Sequence, residues 1–449
     1  FIETNGAYNG SERFAAKYRF GFFPSVGLGW MLSNESFIKQ KWLDKLKIRY
    51  SIGTVGSDNF ASERWSYDNR WGLDGGDITT FGTTYTSGDI RTGTGATYLQ
   101  YKELVIGNPD LHWEISRKQN LGVDFSIFNN LFSGTLELFR DDRSNVFMSA
   151  AQRAGSVPAY FGAAPVAINI GKVLNKGFEF DLKVQHTWSG IHCWLTYNFA
   201  HAVDKVIFFD DPKLKPNYQK TAGFQIGQTK LQLEQTGFTN SWDDVYGSVS
   251  FETNSGRLPG DVVMIDYNGD GVVDSQDAIP VGYPNRPQNT YNTSFGLDYK
   301  GLSLMVHFFG VYNVSQFSNS IVYMGDSRAP VVNSLLSNYW TPDNNNAVYP
   351  LLRFGGSGNG QANLTRGILL DGSYLRLKNI ELGYEFRGKL LKILNLSSLK
   401  LTVSGNNLLF WSKLPEDREQ SVNIWSLGTS SYSLYPTVKR INFGINVTF

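Results

Sequence analysis

The last segment of the chain, residues 439–449, alternates strictly between apolar and polar side chains. The apolar positions are Ile441, Phe443, Ile445, Val447 and Phe449, and the polar set is Arg440, Asn442, Gly444, Asn446 and Thr448. A period of two residues is that of a β-strand with two chemically different faces. An unpaired strand would leave an exposed sheet edge, so we expect this one to be paired along its length, as the closing strand of a sheet.

The same alternation recurs along the chain and predicts about eleven strands. They are expected at 19–32, 46–53, 121–127, 131–140, 178–184, 191–205, 291–299, 302–308, 373–386, 399–407 and 439–449. In the strand at 373–386 the apolar phase slips between Leu377 and Ile380, which predicts either a β-bulge or the point where the strand leaves its apolar surroundings. Short turns and long polar connections alternate between the strands. Every long loop is therefore expected at one end of the strands and every short turn at the other.

Composition supports an all-β protein and excludes several classes of function. The 449 residues include 46 glycines, and 14% of them are aromatic, 41% hydrophobic and only 18% charged. The formal net charge is +1 without a basic cluster, so no electrostatic footprint for nucleic acid exists. Cys193 is the single cysteine, which excludes an internal disulfide. No apolar run approaches the roughly 18 residues of a membrane-spanning helix.

Three all-β architectures could produce this pattern. The expected strands are longer than the roughly five or six residues usual in propellers and sandwiches, and no fixed repeat indicates a solenoid. A transmembrane barrel combines long strands, an apolar lipid face, a polar lumen, short turns and long outer loops. Glu179, Asp181 and Lys183 lie on a polar strand face. Burying each of these charged side chains in a dry core would cost several kcal/mol, so this face is expected to be hydrated. The predicted fold is an all-β, transmembrane antiparallel barrel with a hydrated lumen.

The chain is expected to be a piece of a longer polypeptide. It begins without a signal peptide, and its strand count is odd, whereas single-chain bacterial barrels have even numbers of strands. An earlier set of strands is therefore expected before residue 1.

Several short runs together resemble the carboxy-terminal half of the SusC/RagA family of TonB-dependent outer-membrane transporters. The runs are 108–114 (NPDLHWE), 175–179 (NKGFE), 371–379 (DGSYLRLKN), 404–408 (SGNNL) and 446–449 (NVTF). They extend over nearly the whole chain and occur in the order found in the family.

The resemblance implies that residues 1–449 form the carboxy-terminal part of one 22-stranded barrel in the bacterial outer membrane. An amino-terminal plug, the earlier strands and a segment that contacts TonB would lie outside this chain. The long loops would be extracellular and the carboxy-terminus periplasmic, with Phe449 as the aromatic end that assembly machinery reads. The resemblance also implies a SusD-like surface lipoprotein as partner, with oligosaccharides or peptides as the nutrient.

The longest irregular segment, 206–287, is expected to be an extracellular loop that carries a calcium-type motif. Oxygen donors are expected from Asp266, Asn268, Asp270, Asp274 and Asp277 and from the backbone carbonyl of Val272, with Gly271 at the sixth position. This is the spacing by which an EF-hand-type loop binds Ca²⁺. The twelfth position is Asp rather than Glu, and residues 262–265 look extended rather than helical. The alternative is a set of Asx and Gly turns. We expect a structural Ca²⁺ ion here.

The long loops are rich in aromatic residues that could stack on sugar rings or anchor protein partners. The candidate substrate contacts are Trp65, Trp71, Trp242, Tyr246, Trp340 and Trp425. Packing of the loops on themselves is an equally weighted alternative for each of these residues.

No set of residues predicts an enzyme. The five histidines are scattered, and no nucleophile with a base or protected carboxylate pair can be identified. The sequence therefore predicts TonB-dependent uptake of a bulky nutrient. The alternative is a non-transporting outer-membrane barrel whose loops serve as a docking platform in a larger surface complex.

Overall fold

Twelve antiparallel strands form one continuous sheet in the computed structural model, which describes residues 1–59, 65–74, 78–80, 83–85, 100–153, 165–251, 257–317, 339–347, 350–351, 369–393, 395–414 and 437–449. The strands, numbered in chain order, are β1 (Ile2–Gly10), β2 (Phe20–Met31), β3 (Leu43–Ser57), β4 (Glu114–Ile127), β5 (Phe132–Met148), β6 (Ile168–Trp188), β7 (Ile191–Phe208), β8 (Asn289–Tyr299), β9 (Leu302–Tyr312), β10 (Tyr374–Glu385), β11 (Ser398–Ser412) and β12 (Arg440–Thr448). Each pairs with its neighbour in sequence order, so the sheet is a simple meander.

The eleven strands predicted from the sequence are all present, and the twelfth is β1. Its sequence, IETNGAYNG, lacks a regular alternation of apolar and polar residues, so the two-residue period could not reveal it. With twelve strands described, the odd-count argument for a missing set of strands does not hold. Several observed strands also extend further than the alternation predicted, and β6 reaches 21 residues.

Strand register places polar residues of neighbouring strands in rows on one face of the sheet. One row runs through Asp124, Thr135, Asp181, Asn198 and Asn292, each directly opposite the next. We call this side the polar face. On the other side, which we call the apolar face, Val184, Leu195, Phe295 and Val306 are likewise aligned across β6, β7, β8 and β9. A one-residue change of register would exchange these two faces, so the alternation in sequence specifies the pairing.

The predicted bulge in β10 is confirmed at Lys378. The register shifts between Leu377 and Asn379 on the β11 side and between His307 and Phe308 on the β9 side. An extra residue on one strand of a pair bends that strand and redirects its side chains.

The connections at the long-loop end contain short two-stranded ladders and small helices. The ladders pair Arg70–Asp74 with Gln100–Val105, Ile78–Thr80 with Thr83–Tyr85, Lys230–Leu231 with Ile279–Pro280, Glu234–Phe238 with Val262–Met264, Ser250–Phe251 with Val272–Val273, and Ser315–Phe317 with Leu369–Asp371. Within the described ranges the α-helices are Ala150–Arg153, Trp242–Gly247 and Lys389–Ile393, and the 3₁₀ turns are Ala16–Tyr18, Leu32–Asn34, Ser36–Ile38 and Ser275–Asp277. Among the described residues, no helix has the length and apolar character needed to span a bilayer.

A small apolar cluster lies at the long-loop end of β2 and β4. Phe14 and Leu111 are fully buried, and the ring of Trp113 packs against Phe14 and Phe23 at centroid distances of 5.2 and 5.3 Å. Phe14 and Leu111 come from two different connections, so this cluster attaches loop segments to the strand ends.

Candidate functional site

An ionic network on the polar face joins β3, β4 and β5. Arg49 donates from Nε and Nη2 to Oδ1 of Asp124 at 3.3 Å, and from Nη2 to Oε1 of Glu137. Asn120 donates to the other oxygen of Glu137 at 2.7 Å. Gly122 lies beneath Arg49, and a Cβ built there would come within 2.8 Å of Cζ of Arg49. The glycine therefore lets the guanidinium lie flat across the sheet between two carboxylates.

Amide side chains continue this polar face across the later strands. Asn198 donates to Oδ1 of Asp181 on the neighbouring strand. Asn406 donates to Oδ1 of Asn379 at 3.1 Å, and Asn442 donates to Oδ1 of Asn406 at 3.3 Å. Amide side chains that hydrogen-bond to one another across strands satisfy their own donors and acceptors. This face of the sheet therefore needs no protein layer packed on it.

The bulge at Lys378 adds cations and aromatic rings to the polar face near the long-loop end. Nζ of Lys378 lies 4.8 Å from the ring centroid of Phe309, and Cζ of Arg376 lies 4.4 Å from that of Phe410. Register places Phe309 opposite Arg376, and Arg376 opposite Phe410. Sequence reasoning missed this group and the Arg49 network, because each forms only when register brings separate strands together. The signal available for the group at the bulge was the pair of basic residues Arg376 and Lys378 next to the slip in apolar phase.

The apolar face carries large exposed side chains along its whole width. Members include Leu136, Leu138, Phe178, Phe295, Leu382, Val403, Ile441 and Phe443. An apolar surface of this extent is far larger than a monomer in water exposes, and it matches the lipid-facing band of a membrane barrel. Phe449 is also exposed at the carboxy-terminus, and its role as an assembly signal stays a prediction.

The calcium-type loop is ordered by hydrogen bonds between its carboxylates and its own backbone. Asp266 accepts from the N–H groups of Gly269 at 2.7 Å and Gly271 at 2.8 Å, and Asp270 accepts from Val272 at 2.9 Å. Asn268 donates to Oδ2 of Asp270 at 2.9 Å. The strand Val262–Met264 precedes the loop, so the extended approach expected from the sequence is confirmed.

Asp277 has a structural role that the motif did not predict. Its side chain is 0% exposed, and its two oxygens accept from the N–H groups of Tyr267 at 2.7 Å, Asn268 at 3.1 Å and Asp274 at 2.8 Å. Both oxygens are thus engaged in holding the two ends of the loop together. Among the described residues, no three His, Cys, Asp or Glu side chains are grouped closely enough to hold a metal ion. The Ca²⁺ site therefore stays a prediction from spacing.

The structure separates the candidate aromatic contacts into different classes. Trp65 and Trp71 are exposed, and Trp242 and Tyr246 form an exposed pair on one helix. Trp425 lies outside the described residues. Trp340, a candidate substrate contact, instead agrees with the alternative of loop self-packing, because it is 5% exposed and packs with Phe238 in a loop core.

That loop core joins two long connections into one unit, which we call the loop unit. Its buried members are Phe238, Val262, Met264, Val273 and Trp340, with Ala347 and Leu351 packed against them. The N–H of Leu351 donates to the carbonyl of Gly260 at 2.9 Å. Gly260 has φ +96°, and a Cβ there would collide with Trp340, so glycine permits this close approach. The described residues of the two connections, 209–251 with 257–288 and 339–347 with 350–351, therefore pack together although β8 and β9 separate them in sequence.

A two-faced sheet of long antiparallel strands, apolar on one side and charged on the other, defines the wall of a transmembrane β-barrel. Residues 2–408 match the family described as "TonB dependent receptor-like, beta-barrel", and the chain therefore belongs to this family of outer-membrane proteins. The family consists of TonB-dependent transporters rather than enzymes.

Named relatives agree with this assignment. The chain is 24% identical to TonB-dependent receptor P3 of Formosa agariphila, an alignment that covers 98% of this chain and 43% of that protein. It is 26% identical to TonB-dependent receptor SusC of Bacteroides thetaiotaomicron, over 85% of this chain and 36% of SusC. The chain thus spans less than half the length of these relatives.

A solved structure shares the fold. "Structure of the RagAB peptide transporter" superposes with a TM-score of 0.72 at 19% identity, covering 100% of this chain and 45% of that one.

Proposed function

We propose that the chain forms the carboxy-terminal part of the barrel of a TonB-dependent importer that carries a bulky nutrient across the outer membrane. The observation that carries this proposal is the family match over residues 2–408 on a sheet whose polar face is lined by the Arg49 network and the amide rows. A face with this many charges and amides suits a hydrated lumen or contact with a polar plug.

The proposed partners are a SusD-like surface lipoprotein, which would cap the long-loop end, and the TonB complex. TonB would be reached through an amino-terminal part of the protein. The relative SusC and the fold shared with the RagAB transporter support this architecture. The proposed nutrient is an oligosaccharide or a peptide, and exposed loop aromatics such as Trp71 and Trp242 support such a ligand because aromatic faces bind both kinds of molecule.

The experiment begins with the native polypeptide, extracted from outer membranes through a carboxy-terminal tag and examined by mass spectrometry. We expect a mass of about twice that of these 449 residues, with a plug upstream, because the chain covers 45% of the transporter it superposes on. A surface lipoprotein should co-purify. A mass matching the 449 residues alone would contradict the proposal.

Uptake is then measured in three strains, which carry the intact protein, a deletion of its gene, or a deletion of TonB. Loss of uptake in both deletion strains supports import. The alternative of a docking barrel predicts that surface binding disappears only in the first deletion, and that no nutrient enters the cell through this protein in any strain.

We also propose a structural Ca²⁺ ion in the loop 266–277. Side-chain oxygens of Asp266, Asn268, Asp270 and Asp274 occur at the spacing that such ions use, and Gly271 occupies the tight turn with φ +88°. Tyr218 donates to the carbonyl of Gln276 at 2.9 Å, so the ion would stiffen a loop already attached to its neighbours.

A further inference from the structure

The most prominent unexplained feature of the loop unit is a pair of exposed aromatic rings on the helix Trp242–Gly247. Trp242 is 50% exposed and Tyr246 is 81% exposed, although each would bury a large apolar area if it were covered. Their ring centroids are 6.0 Å apart with an interplanar angle of 28°, because residues four apart lie on the same side of a helix. The two rings form one aromatic surface.

The helix that carries these rings is fixed at several points. Ser241 and Asp244 form a capping box, in which Oγ of Ser241 accepts from the N–H of Asp244 at 3.1 Å and Oδ2 of Asp244 accepts from the N–H of Ser241 at 2.9 Å. Val245 of the same helix is buried. The preceding residue, Asn240, accepts from Nε1 of Trp340 at 2.9 Å. The rings are therefore presented by an ordered support, which reduces the entropy lost when a ligand binds.

From this geometry we infer that Trp242 and Tyr246 bind the ring of a neutral hexopyranose in an oligosaccharide. This inference rests on the proposed uptake function and deepens it by naming a substrate class. Two aromatic side chains can cover about 150–250 Å² each, which is well below the roughly 800 Å² per partner of a stable protein interface. That area suits one or two sugar rings.

The charge around the aromatic surface favours a neutral sugar over an acidic one. Asp243 and Asp244 lie in the first turn of the same helix, between the two aromatic positions in sequence. Asp244 is committed to the capping box, and Asp243 provides a carboxylate that can accept a hydrogen bond from a sugar hydroxyl. The same two carboxylates would repel a uronic acid or a sulfated sugar.

The test measures binding to the complete native polypeptide, purified in detergent, by calorimetry. The probes are neutral hexasaccharides of glucose, mannose and galactose in α and β linkages, hexagalacturonate as the acidic probe, and a hexapeptide mixture. We expect at least one neutral hexasaccharide to bind more tightly than hexagalacturonate or the peptides. Trp242→Ala and Tyr246→Ala should each raise its Kd about tenfold, and Trp242→Phe should restore most of the affinity.

Trp188→Ala is the matched control, since Trp188 is also an exposed tryptophan but lies at the short-turn end of β6. Its Kd should equal that of the unmodified protein. Asp243→Asn should strengthen hexagalacturonate binding about threefold at low salt.

Two results would overturn the inference: no neutral hexasaccharide binds, or binding survives in Trp242→Ala and Tyr246→Ala alike. Tighter binding of the peptides would assign the surface to a different substrate class. Calorimetry in detergent does not depend on TonB. Loss of sugar binding while TonB-dependent uptake persists would contradict this inference alone, and sugar binding without TonB-dependent uptake would contradict the proposed function alone.

Discussion

Trp340 donates from its indole Nε1 to Oδ1 of Asn240 at 2.9 Å, across 100 residues of sequence. The same indole ring is buried against Phe238 in the core of the loop unit. One side chain thus supplies both a directional bond and apolar contact between two connections of the barrel. The loop unit should consequently loosen as a whole when Trp340 is replaced.

Trp340→Ala should destabilise the loop unit by about 3–5 kcal/mol, the usual cost of removing a large buried aromatic side chain. Trp340→Phe keeps most of the apolar contact but loses the hydrogen bond, so it should destabilise the loop unit less than Trp340→Ala does. Hydrogen–deuterium exchange is expected to rise in residues 238–251 and 257–264, while exchange in the barrel strands stays unchanged. Trp188→Ala is the control, and equal protection of the loop unit in all four proteins would contradict the assignment.

Neighbouring residues of β7 should respond oppositely to the same substitution. Leu195 lies on the apolar face opposite Val184 and Phe295, whereas Thr196 lies on the polar face opposite Lys183 and Ser294. Leu195→Arg should lower the free energy of unfolding by about 2–4 kcal/mol, because it places a charge on the lipid side. Thr196→Arg should leave the barrel nearly as stable, because its charge faces the polar side. The amount of folded protein in outer membranes, measured by heat-modifiable mobility on gels, reports the difference. Equal losses in the two variants would show that the faces are assigned wrongly.

Arg49→Met should destabilise the barrel by about 1–3 kcal/mol, because Asp124 and Glu137 lose the cation that both contact. All three side chains are at most one-third exposed, so solvent cannot fully replace the lost bonds. Urea unfolding in detergent measures the change. Lys45→Met is the control, because it removes the same charge from an exposed position of β3. Unfolding of both variants at the same urea concentration would contradict the stabilising role of Arg49.

Calcium binding to the loop 266–277 can be separated from the structural role of Asp277. After treatment with a chelator, the protein should take up one Ca²⁺ per chain by calorimetry, and Asp270→Ala should abolish this uptake. Asp277→Ala should loosen the loop even without Ca²⁺, because three backbone N–H groups lose their acceptor. Asp243→Ala serves as the control. Absence of Ca²⁺ uptake in the unmodified protein would leave the loop as a set of hydrogen-bonded turns.

The helix Trp242–Gly247 should lose stability in acid. Hydrogen bonds from the N–H of Asn240 and from Ser241 hold the pKa of the Asp244 carboxyl below its usual value. A carboxyl with a lowered pKa in the folded state stabilises that state above its unfolded pKa of about 3.9, and this contribution disappears as the pH falls through the folded pKa. Exchange in residues 242–247, corrected for intrinsic rates, should rise below that pH. Asp244→Asn should remove the pH dependence, and an unchanged acid response in this variant would contradict the role of Asp244.

Much of the barrel could be predicted from the sequence because a two-residue period directly encodes strand faces. The strand at 178–184, for example, showed its apolar and charged sides without any knowledge of its neighbours. β1 was missed since glycine and asparagine interrupt its alternation. The slip after Leu377 predicted the bulge, but only the register showed that it brings Lys378 to the ring of Phe309.

The candidate site was less predictable because its contacts connect residues that are distant in sequence. Arg49 meets Glu137 only after β3, β4 and β5 have paired. Trp340 and Trp242 are both tryptophans in long loops, and nothing local distinguishes the buried one from the exposed one. Asp277 fits a metal-ligand position by spacing, yet the structure uses both of its oxygens for backbone N–H groups.

The shared core around Trp340 also constrains how this protein can diversify. Substitutions in segment 339–351 have to remain compatible with segment 238–264, so the two segments should covary among homologues, and length changes in one should accompany changes in the other. Grafting a single loop from a relative would leave half of an apolar core without its complement. Recombination that alters ligand preference at the cell surface is therefore expected to exchange both segments together with the β8–β9 hairpin between them.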